Sequence, residues 1–581
     1  MPVLGDSSVW TRETFGQELI DITIGDLLDQ QAVRFRHEPA LIYRYPEMGI
    51  DLCVTYGELR DRVDRIAKGL IGLGVGPGDK VAVLAANVPE WIFLELAVPR
   101  IGAILVAVNT NTRRTDLEYV LKHADVHTLV TMREFRGNSY ETSLAEIAPE
   151  LARQADPWET LQCEALPELR RVVFLPEAPS ASHLSLHRLV ELGDTIEDTV
   201  LGERQSQTRS ADVFQIQFTS GTTGNPKGAM ITHHAAINNA RLFAGRAGVR
   251  SSDRLLSAMP LFHTAGNVME VFGILNHGAA LVKAISFDAR KMLELLQAER
   301  ATILSAVPTM VIAMLQQLDA DQRCWDTTSL RFVISGGTPI PVTVMEQVRS
   351  LFGAQPMIGF GMTEASPMVT GTLQDDSFEL KSATVGIPLP HTEVKLVDAQ
   401  GQAVPLGQAG ELLIRGYLVM QGYYKMPDKT RETIDQDGWL HSGDLAIMDA
   451  NGYLRIAGRI KDMVIRGGEN VYPAEIEGFL MRHPAIKQAQ VVGIPDDYMG
   501  EETAAFIELH AEAALSEPDV RAHCKAELPR HKVPKYFRFV DHYPLTPSGK
   551  VKKYELRAMF VSQLGDDRIQ VSSAEEQVSG T

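Results

Sequence analysis

Apolar positions along the chain follow a helical period in some stretches and form short continuous runs in others. Residues 80–86 form a near-continuous apolar run of strand length, and the pattern then predicts a helix over 91–100 and a strand over 104–108. Strand, helix and strand with short connections make a βαβ unit, so we expect a mostly parallel sheet covered by helices. The preceding stretch predicts an amphipathic helix that ends at Gly72 or Gly74, with one apolar face made by Leu59, Val63, Ile66, Ala67 and Leu70.

The same alternation of strands and helices returns after residue 212. Between these two regions, residues 134–177 are polar and end in a predicted short strand over 172–174, and we expect this stretch to lie on the surface. Residues 178–210 are similarly polar and lead into the next predicted strand. The predicted strands are 213–218, 254–259, 280–282, 303–305 and 330–334, and the predicted helices are 292–298 and 310–317. From 393 to 416, and again over 452–459, short β runs separated by glycine and proline turns predict a small antiparallel, barrel-like unit.

The length of 581 residues is too great for a single core and suggests a division into domains. We predict a large N-terminal α/β domain over 1–458 and a smaller α+β domain over 462–564. Residues 565–581 are polar and have no apolar face, so we expect a disordered tail.

Charge and composition exclude several classes of protein. The net charge of -18 argues against a generic nucleic-acid binder, which would carry basic clusters. The four cysteines are scattered without a Cys-x-x-Cys pair, so neither a disulfide framework nor a zinc site is expected. The chain starts without a signal sequence, and its longest apolar stretch, 91–108, contains Glu95, Pro99 and Arg100. We therefore expect no transmembrane segment and a cytoplasmic location.

The most informative stretch is the glycine- and hydroxyl-rich loop over 218–230. Glycines allow close backbone approach, while hydroxyl and N–H groups donate to anionic oxygens, so the loop suits phosphate binding. The spacing is not that of a Walker A motif, and Pro226 disfavours a helix at that point. Taken alone, the loop fits a surface turn about as well. Its candidate phosphate-binding residues are Thr219, Ser220, Gly221, Thr222, Thr223, Gly224 and the single cation Lys227.

The full string from 218 to 230 resembles the signature loop of the adenylate-forming superfamily. This superfamily includes acyl- and aryl-CoA synthetases, luciferases and the adenylation domains of peptide synthetases. The resemblance extends from Leu27 to Phe560 and is closest to the medium-chain fatty acyl-CoA synthetases. The matching segments beyond the loop are 335–339, 359–364, 439–444, 458–477 and 544–550.

For the nucleotide, the resemblance implies one group of residues for the base and another for the ribose. Gly336 and Gly337 would lie against adenine, and Asp444 would bind both ribose hydroxyls with Arg459 supporting it. A carboxylate that accepts two hydroxyl donors is a specific ribose reader. In the motif 359–364, which contains Gly361 and Met362, Phe360 replaces the usual tyrosine. Stacking on adenine would survive this change, whereas any contact through a hydroxyl would be lost.

For catalysis, the resemblance implies that Thr363 binds a phosphate oxygen and that Glu364 binds Mg²⁺. Magnesium prefers hard oxygen ligands and few protein groups. Lys550 would bridge the substrate carboxylate and the α-phosphate of ATP, and Lys227 would help to stabilise the charge on the phosphate oxygens. Taken alone, a lysine after a glycine near the end of a chain is more often a solvated surface charge.

For transfer to a thiol, the resemblance implies a hinge between the domains at residues 459–461, with Lys461 at the pivot. The loop Gly467, Gly468 and Glu469 would border the tunnel for the pantetheine arm of coenzyme A. Because Lys550 must leave before a thiol can enter, a mobile second domain makes physical sense.

The segment 260–266 resembles the part of the family that lies beside the acyl pocket. His263 fits a packing or gating role better than that of a base, and Val268 and Met269 are candidate pocket residues. The helix that follows His263 carries no cation, which favours an aliphatic monoacid, although a core helix would show the same pattern.

We therefore predict an acid–thiol ligase of fatty acid metabolism, with ATP, Mg²⁺ and coenzyme A. It would convert a medium-chain fatty acid into acyl-AMP with release of pyrophosphate, and then into the coenzyme A thioester. The chain has neither a Gly-x-Ser-x-Gly elbow nor a His-Glu-x-x-His motif, in keeping with chemistry that needs no protein nucleophile. Two alternatives stay open: a stand-alone adenylation enzyme that loads an aryl or other acid onto a carrier protein, and a non-catalytic nucleotide-binding module. The oligomeric state is also open, with a homodimer as the candidate.

Overall fold

The computed structural model describes most of the chain, and within it strands and helices alternate as predicted. The described residues are 6–11, 13–154, 156–175, 183–219, 225–321, 325–337, 340–467, 469–496, 498–510, 513–544 and 551–562. The tail predicted over 565–581 lies outside them. Among the described helices, none has both the length and the apolar character that crossing a bilayer requires.

One sheet of the N-terminal region ends in the strand that carries Lys227. Within the described residues it has seven strands, and all its pairings are parallel except the last, a hairpin between Val213–Thr219 and Lys227–Thr232. In spatial order the strands are Leu184–Ser185, Arg171–Leu175, Val126–Met132, Lys80–Leu84, Ile104–Ala107, Val213–Thr219 and Lys227–Thr232.

A second sheet, of nine strands in the described part of the chain, carries the segments assigned to adenine and magnesium. It is parallel in its centre and antiparallel at both edges. In spatial order the strands are Ile387–Pro388, Met368–Gly371, Gln355–Gly361, Phe332–Gly336, Ile303–Ser305, Arg254–Ser257, Ala280–Lys283, Pro39–Tyr45 and Ile50–Thr55.

Local sequence signals explain where the helices begin. Thr23 and Thr55 each form a capping box with an acidic residue three positions later. The helix predicted to end at Gly72 or Gly74 ends at Gly72. The helices are Ile24–Arg34, Tyr56–Gly72, Pro89–Arg100, Arg114–His123, Tyr140–Ile147, Leu186–Gly193, Asp198–Gln207, His233–Arg246, Gly273–His277, Ala289–Ala298, Pro308–Ala320, Val342–Gln347, Phe378–Ala383, Pro427–Thr433, Pro473–Leu480 and Glu517–Glu527, with π-helices over Ala265–Phe272 and Val348–Phe352.

The prediction that residues 134–177 lie on the surface was wrong for the helix Tyr140–Ile147. Tyr140, Leu144 and Ile147 are buried and recur at helical spacing on one face. The Tyr140 hydroxyl donates to the carbonyl of Thr110 at 2.7 Å, so the phenol is satisfied inside the core. Three apolar residues at this spacing are enough to dock a helix whose other residues are polar.

The antiparallel unit predicted from 393 onward is present as a five-stranded sheet of described residues. Its edge strand, Val9–Trp10, comes from the start of the chain, and two residues are too few to produce a visible sequence pattern. In order, the strands are Val9–Trp10, Thr392–Val397, Ala409–Gly416, Leu440–Met448 and Leu454–Arg459.

The C-terminal region has the α+β composition that was predicted. Its buried apolar residues form two hydrophobic clusters of their own, around Val491 and Phe506 respectively. The domain limits at 458 and 462, and the hinge between them, stay predictions. The strands of this sheet are Val464–Arg466, Glu469–Val471, Ile486–Asp496, Gly500–Leu509 and Tyr536–Phe539.

Candidate active site

Lys227 and Glu364, which are more than a hundred residues apart, meet at one hydroxyl group. Lys227 begins an edge strand of the seven-stranded sheet, and Glu364 lies in the turn Thr363–Ala365 that follows a strand of the other large sheet. The Nζ of Lys227 donates to the Tyr423 hydroxyl at 2.9 Å, and that hydroxyl donates to Oε1 of Glu364 at 2.7 Å. The two residues predicted to serve phosphate and magnesium are thus brought together.

Backbone pairing fixes the position of Tyr423. The segment 420–424 lies along the edge strand that begins at Lys227, where the N–H of Tyr424 donates to the carbonyl of Gly228 at 2.8 Å. At its other end, the N–H of Met420 donates to the carbonyl of Glu364 at 2.9 Å. One short segment therefore joins the two elements that carry the charged groups.

Burial shifts the pKa values of Lys227 and Tyr423 in opposite directions. The pKa of Lys227 is lowered by burial, and the negative charge of Glu364 offsets part of that effect. The pKa of Tyr423 is raised by burial first and by Glu364 second, so the phenol stays neutral and keeps its proton for the carboxylate. Lys461, the predicted hinge residue, also lowers the pKa of Lys227 through charge repulsion.

Asp444 and Arg459 face each other on neighbouring antiparallel strands. Nε of Arg459 donates to Oδ1 of Asp444 at 3.0 Å. The Asp444 side chain is buried, whereas the Arg459 side chain is 56% exposed. The hydroxyl of Ser442 accepts the N–H of Asp444 at 3.1 Å, and Gly443 between them has φ +71°, so the strand is locally irregular where it presents the carboxylate. A buried carboxylate oriented by a guanidinium is suited to accepting sugar hydroxyls.

The glycines assigned to adenine have packing reasons of their own. Gly336 pairs with Gly359 of the adjacent parallel strand, and a Cβ at Gly336 would lie 2.5 Å from the Gly359 carbonyl oxygen. Gly337 has φ +82°, a conformation that disfavours other residues. A Cβ at Gly361 would lie 2.0 Å from the carbonyl oxygen of Pro367. This edge of the sheet therefore requires glycines, and it leaves backbone rather than side chains exposed to a ligand.

The aromatic position of the same motif is half-buried. Phe360 and Met362 pack against the hydrophobic cluster of the antiparallel sheet. The partial burial of Phe360 fixes its ring while leaving part of it accessible, as a stacking role requires.

Some of the other predicted site residues lie beside these groups, and others lie outside the described residues. Thr219 pairs with Lys227 across the base of the loop, and Thr363 begins the turn that carries Glu364. Gly467 has φ +58° and precedes the short strand that Glu469 begins. Ser220, Gly221, Thr222, Thr223, Gly224, Gly468 and Lys550 lie outside the described residues, and their roles stay predictions.

The segment predicted to lie beside the acyl pocket is built around a π-helix. Nδ1 of His263 accepts the N–H of Ala265, the first residue of the π-helix Ala265–Phe272, at 3.2 Å. This contact fits the packing role predicted for His263. Val268 is fully buried in the main core and Met269 packs against that core.

A buried charged cluster was missed by the sequence reasoning. Lys283 and Glu270 are both fully buried, with Nζ and Oε2 2.7 Å apart. Glu95 is also fully buried, and burial raises the pKa of its carboxyl well above the ordinary value. The sequence prediction used only the helix after His263, which carries no cation. Lys283 lies instead at the end of the strand Ala280–Lys283. A lysine that ends an apolar strand was the available signal.

Glu364 fits the demands of magnesium. The described residues contain no group of three or more His, Cys, Asp or Glu side chains that could hold a metal. Magnesium in nucleotide sites needs fewer protein ligands, because phosphate oxygens and water complete its shell. Oε1 of Glu364 accepts from Tyr423, while no hydrogen bond described in this structure ends on Oε2. One oriented carboxylate oxygen is what such an ion requires.

Comparison with known proteins identifies the family and the fold. Residues 28–424 match the family model described as AMP-binding enzyme, and residues 475–550 match the AMP-binding enzyme C-terminal domain. YngI of Bacillus subtilis is 43% identical over 542 residues, covering 93% of this chain and 97% of its own. The rat medium-chain acyl-CoA ligase ACSF2, mitochondrial, is 38% identical, covering 94% and 89%. The crystal structure of the anthranilate CoA ligase AuaEII with anthranoyl-AMP superposes with a TM-score of 0.81 at 27% identity, covering 94% and 98%.

Proposed function

The chain belongs to the AMP-binding enzyme family, and from this premise we propose that it activates a medium-chain fatty acid with ATP and transfers the acyl group to coenzyme A. In the first step a carboxylate oxygen of the acid attacks the α-phosphorus, and the bond from that phosphorus to the bridging oxygen breaks. Pyrophosphate leaves and acyl-AMP forms. In the second step the thiolate of coenzyme A attacks the acyl carbonyl, and AMP leaves with the oxygen that came from the acid.

The observation that carries this proposal is the meeting of Lys227 and Glu364 at the Tyr423 hydroxyl. Two anions must approach each other in the first step, so the site needs positive charge beside the phosphates. Lys227 supplies a cation, and Glu364 offers a carboxylate oxygen to Mg²⁺. When bound, Mg²⁺ would neutralise charge on the phosphate oxygens.

The remaining roles follow the predicted assignments. Asp444, oriented by Arg459, would accept the ribose hydroxyls, and Gly336 and Gly337 would let adenine approach the backbone. We further propose that Lys550 bridges the two anions during adenylation and then withdraws by rotation of 462–564 about the hinge 459–461. Gly467, Gly468 and Glu469 would then border the entering coenzyme A.

The choice of acid rests on the relatives and on the apolar helix. The rat relative is named a medium-chain acyl-CoA ligase. Val268 and Met269 lie on a helix whose acidic residue, Glu270, is neutralised by Lys283. An aliphatic chain therefore suits this region better than a second carboxylate would.

A chain-length series tests the proposal. Purified protein would be incubated with ATP, Mg²⁺ and fatty acids of short, medium and long chain, beside aryl acids, with and without coenzyme A. We expect AMP and pyrophosphate only when acid is present, with the highest kcat/KM for medium chains and formation of the thioester. Acyl-AMP without a thioester from free coenzyme A would instead favour loading of a carrier protein, and preference for an aryl acid would overturn the aliphatic assignment.

Location and assembly complete the proposal. We propose action in fatty acid metabolism in the cytoplasm, and a homodimer as the assembly, with imaging of a tagged chain and light scattering as the respective tests. The rat relative's name states a mitochondrial location, so a mitochondrial signal would contradict the cytoplasmic assignment.

A further inference from the structure

Tyr423 lies between the two charged residues of the site and contacts both. The residue is only 3% exposed, and its hydroxyl accepts from Lys227 and donates to Glu364. Nζ of Lys227 also lies 4.1 Å from the centre of the Tyr423 ring. An ammonium and a carboxylate this close would ordinarily form a direct ion pair, whereas here each is paired to the hydroxyl between them.

The hydroxyl cannot easily move away. The backbone of 420–424 is bonded both to the strand of Lys227 and to Glu364, and the Tyr423 N–H donates to Oγ1 of Thr430 at 2.9 Å. Gly422 permits this close packing, since a Cβ there would lie 2.8 Å from the Thr430 side chain.

We propose that Tyr423 is a positioning residue for ATP and its metal: it holds Lys227 and Glu364 apart and directs Oε2 of Glu364 towards the ion. This inference rests on the proposed function, in which Lys227 meets phosphate and Glu364 meets Mg²⁺. Without the hydroxyl, the ammonium and the carboxylate pair with each other. Binding of the magnesium–ATP complex must then break that pair before either group can serve the ligand.

The test is Tyr423→Phe, with Tyr424→Phe as the matched control. The first variant removes the hydroxyl while keeping the ring that lies over Lys227. The second removes a neighbouring hydroxyl whose bond goes to Oδ2 of Asp125 at 2.9 Å, on a different group of residues. Affinities for ATP with Mg²⁺, ATP with EDTA, and AMP would be measured by calorimetry, beside kcat and KM for adenylation.

We expect Tyr423→Phe to weaken binding of ATP with Mg²⁺ by about tenfold, the size of one hydrogen bond to a charged group. AMP, which lacks the β- and γ-phosphates, should bind within about twofold of the wild type, and KM for the acid should not change. Tyr424→Phe should match the wild type in every measurement. Equal loss of AMP and ATP affinity, or no difference between the two variants, would overturn the proposal.

A double-mutant cycle separates positioning from simple packing. If Tyr423 acts through Glu364, then Tyr423→Phe in a Glu364→Gln background should change magnesium–ATP affinity by less than about twofold, because coupled residues are not additive. A full tenfold loss in that background would contradict the inference. Because the binding measurements need no turnover, they remain decisive even if the wild-type chain fails to adenylate any acid, a result that would count against the proposed function alone.

Discussion

Replacing Lys283 by methionine should destabilise the large domain strongly. Lys283 and Glu270 are both fully buried, and their charged atoms are 2.7 Å apart. Glu270 also accepts from the Ser257 hydroxyl at 2.7 Å, so the carboxylate is held in place when the cation is removed. Burial raises the pKa of Glu270, and loss of the ammonium would raise it further.

The expected loss in the free energy of unfolding follows from the distance between the two charges and from their burial. At 2.7 Å and an effective dielectric constant of about 20, the Coulomb attraction is about 6 kcal/mol. Removal of the lysine also relieves its own desolvation cost, so the expected loss in the free energy of unfolding is about 3–5 kcal/mol. Replacing both partners should be far milder, because no unpaired buried charge is left. We expect the Lys283→Met, Glu270→Gln double variant to recover more than half of the loss.

The assay is urea unfolding followed by circular dichroism and calorimetry, with Lys381→Met as the control. Lys381 is nearly as buried as Lys283, but its Nζ donates to the backbone carbonyl of Gln374 at 2.6 Å instead of pairing with a carboxylate. Its removal should cost about 1–3 kcal/mol. If Lys283→Met lost no more stability than Lys381→Met, or if the double variant lost as much as the single one, the reasoning from the buried ion pair would be refuted.

Two further predictions concern a buried acid and the ribose site. Burial raises the pKa of Glu95 in the folded state, so the protein takes up a proton on folding as the pH passes between the two pKa values. The stability contributed by this proton is fully present below the pKa of the unfolded state and is lost as the pH rises towards the pKa of the folded state. Between roughly pH 5 and 8 the free energy of unfolding of the wild type should therefore fall relative to that of Glu95→Gln, by at most about 1.4 kcal/mol per pH unit. If the melting temperatures of the two proteins changed with pH in the same way, the prediction would be contradicted. At the ribose site, Asp444→Asn should weaken ATP binding about tenfold and reduce the preference for ATP over 2′-deoxy-ATP, because a neutral amide is the weaker acceptor. Calorimetry that still finds the full preference would exclude Asp444 as the residue that binds the ribose hydroxyls.

Local patterns predicted the helices and strands, because the apolar pattern of each element depends only on residues that are close together in the sequence. The helix ending at Gly72 and the strand leading to the glycine-rich loop were both found in this way. Candidate site residues could be proposed from the sequence where a motif lies within one segment, as for Thr363 and Glu364, and their roles stay predictions.

Contacts between distant segments could not be predicted. Tyr423 reaches Lys227 only because 420–424 pairs with a strand almost two hundred residues earlier. Lys283 contacts Glu270 because the end of a strand faces a π-helix, and the residue spacing within either segment does not predict this contact. The buried helix Tyr140–Ile147 was missed because its three buried residues lie within a stretch that is otherwise mostly polar.

The most direct test of the proposed reaction follows an oxygen atom. A medium-chain fatty acid labelled with ¹⁸O in both carboxylate positions would be supplied with ATP, Mg²⁺ and coenzyme A, and the products would be analysed by mass spectrometry. We predict one ¹⁸O atom in each AMP formed and none in pyrophosphate, because the acid oxygen that attacks the α-phosphorus stays with it. Unlabelled AMP, label in pyrophosphate, or ADP with phosphate as the products would contradict activation through acyl-AMP.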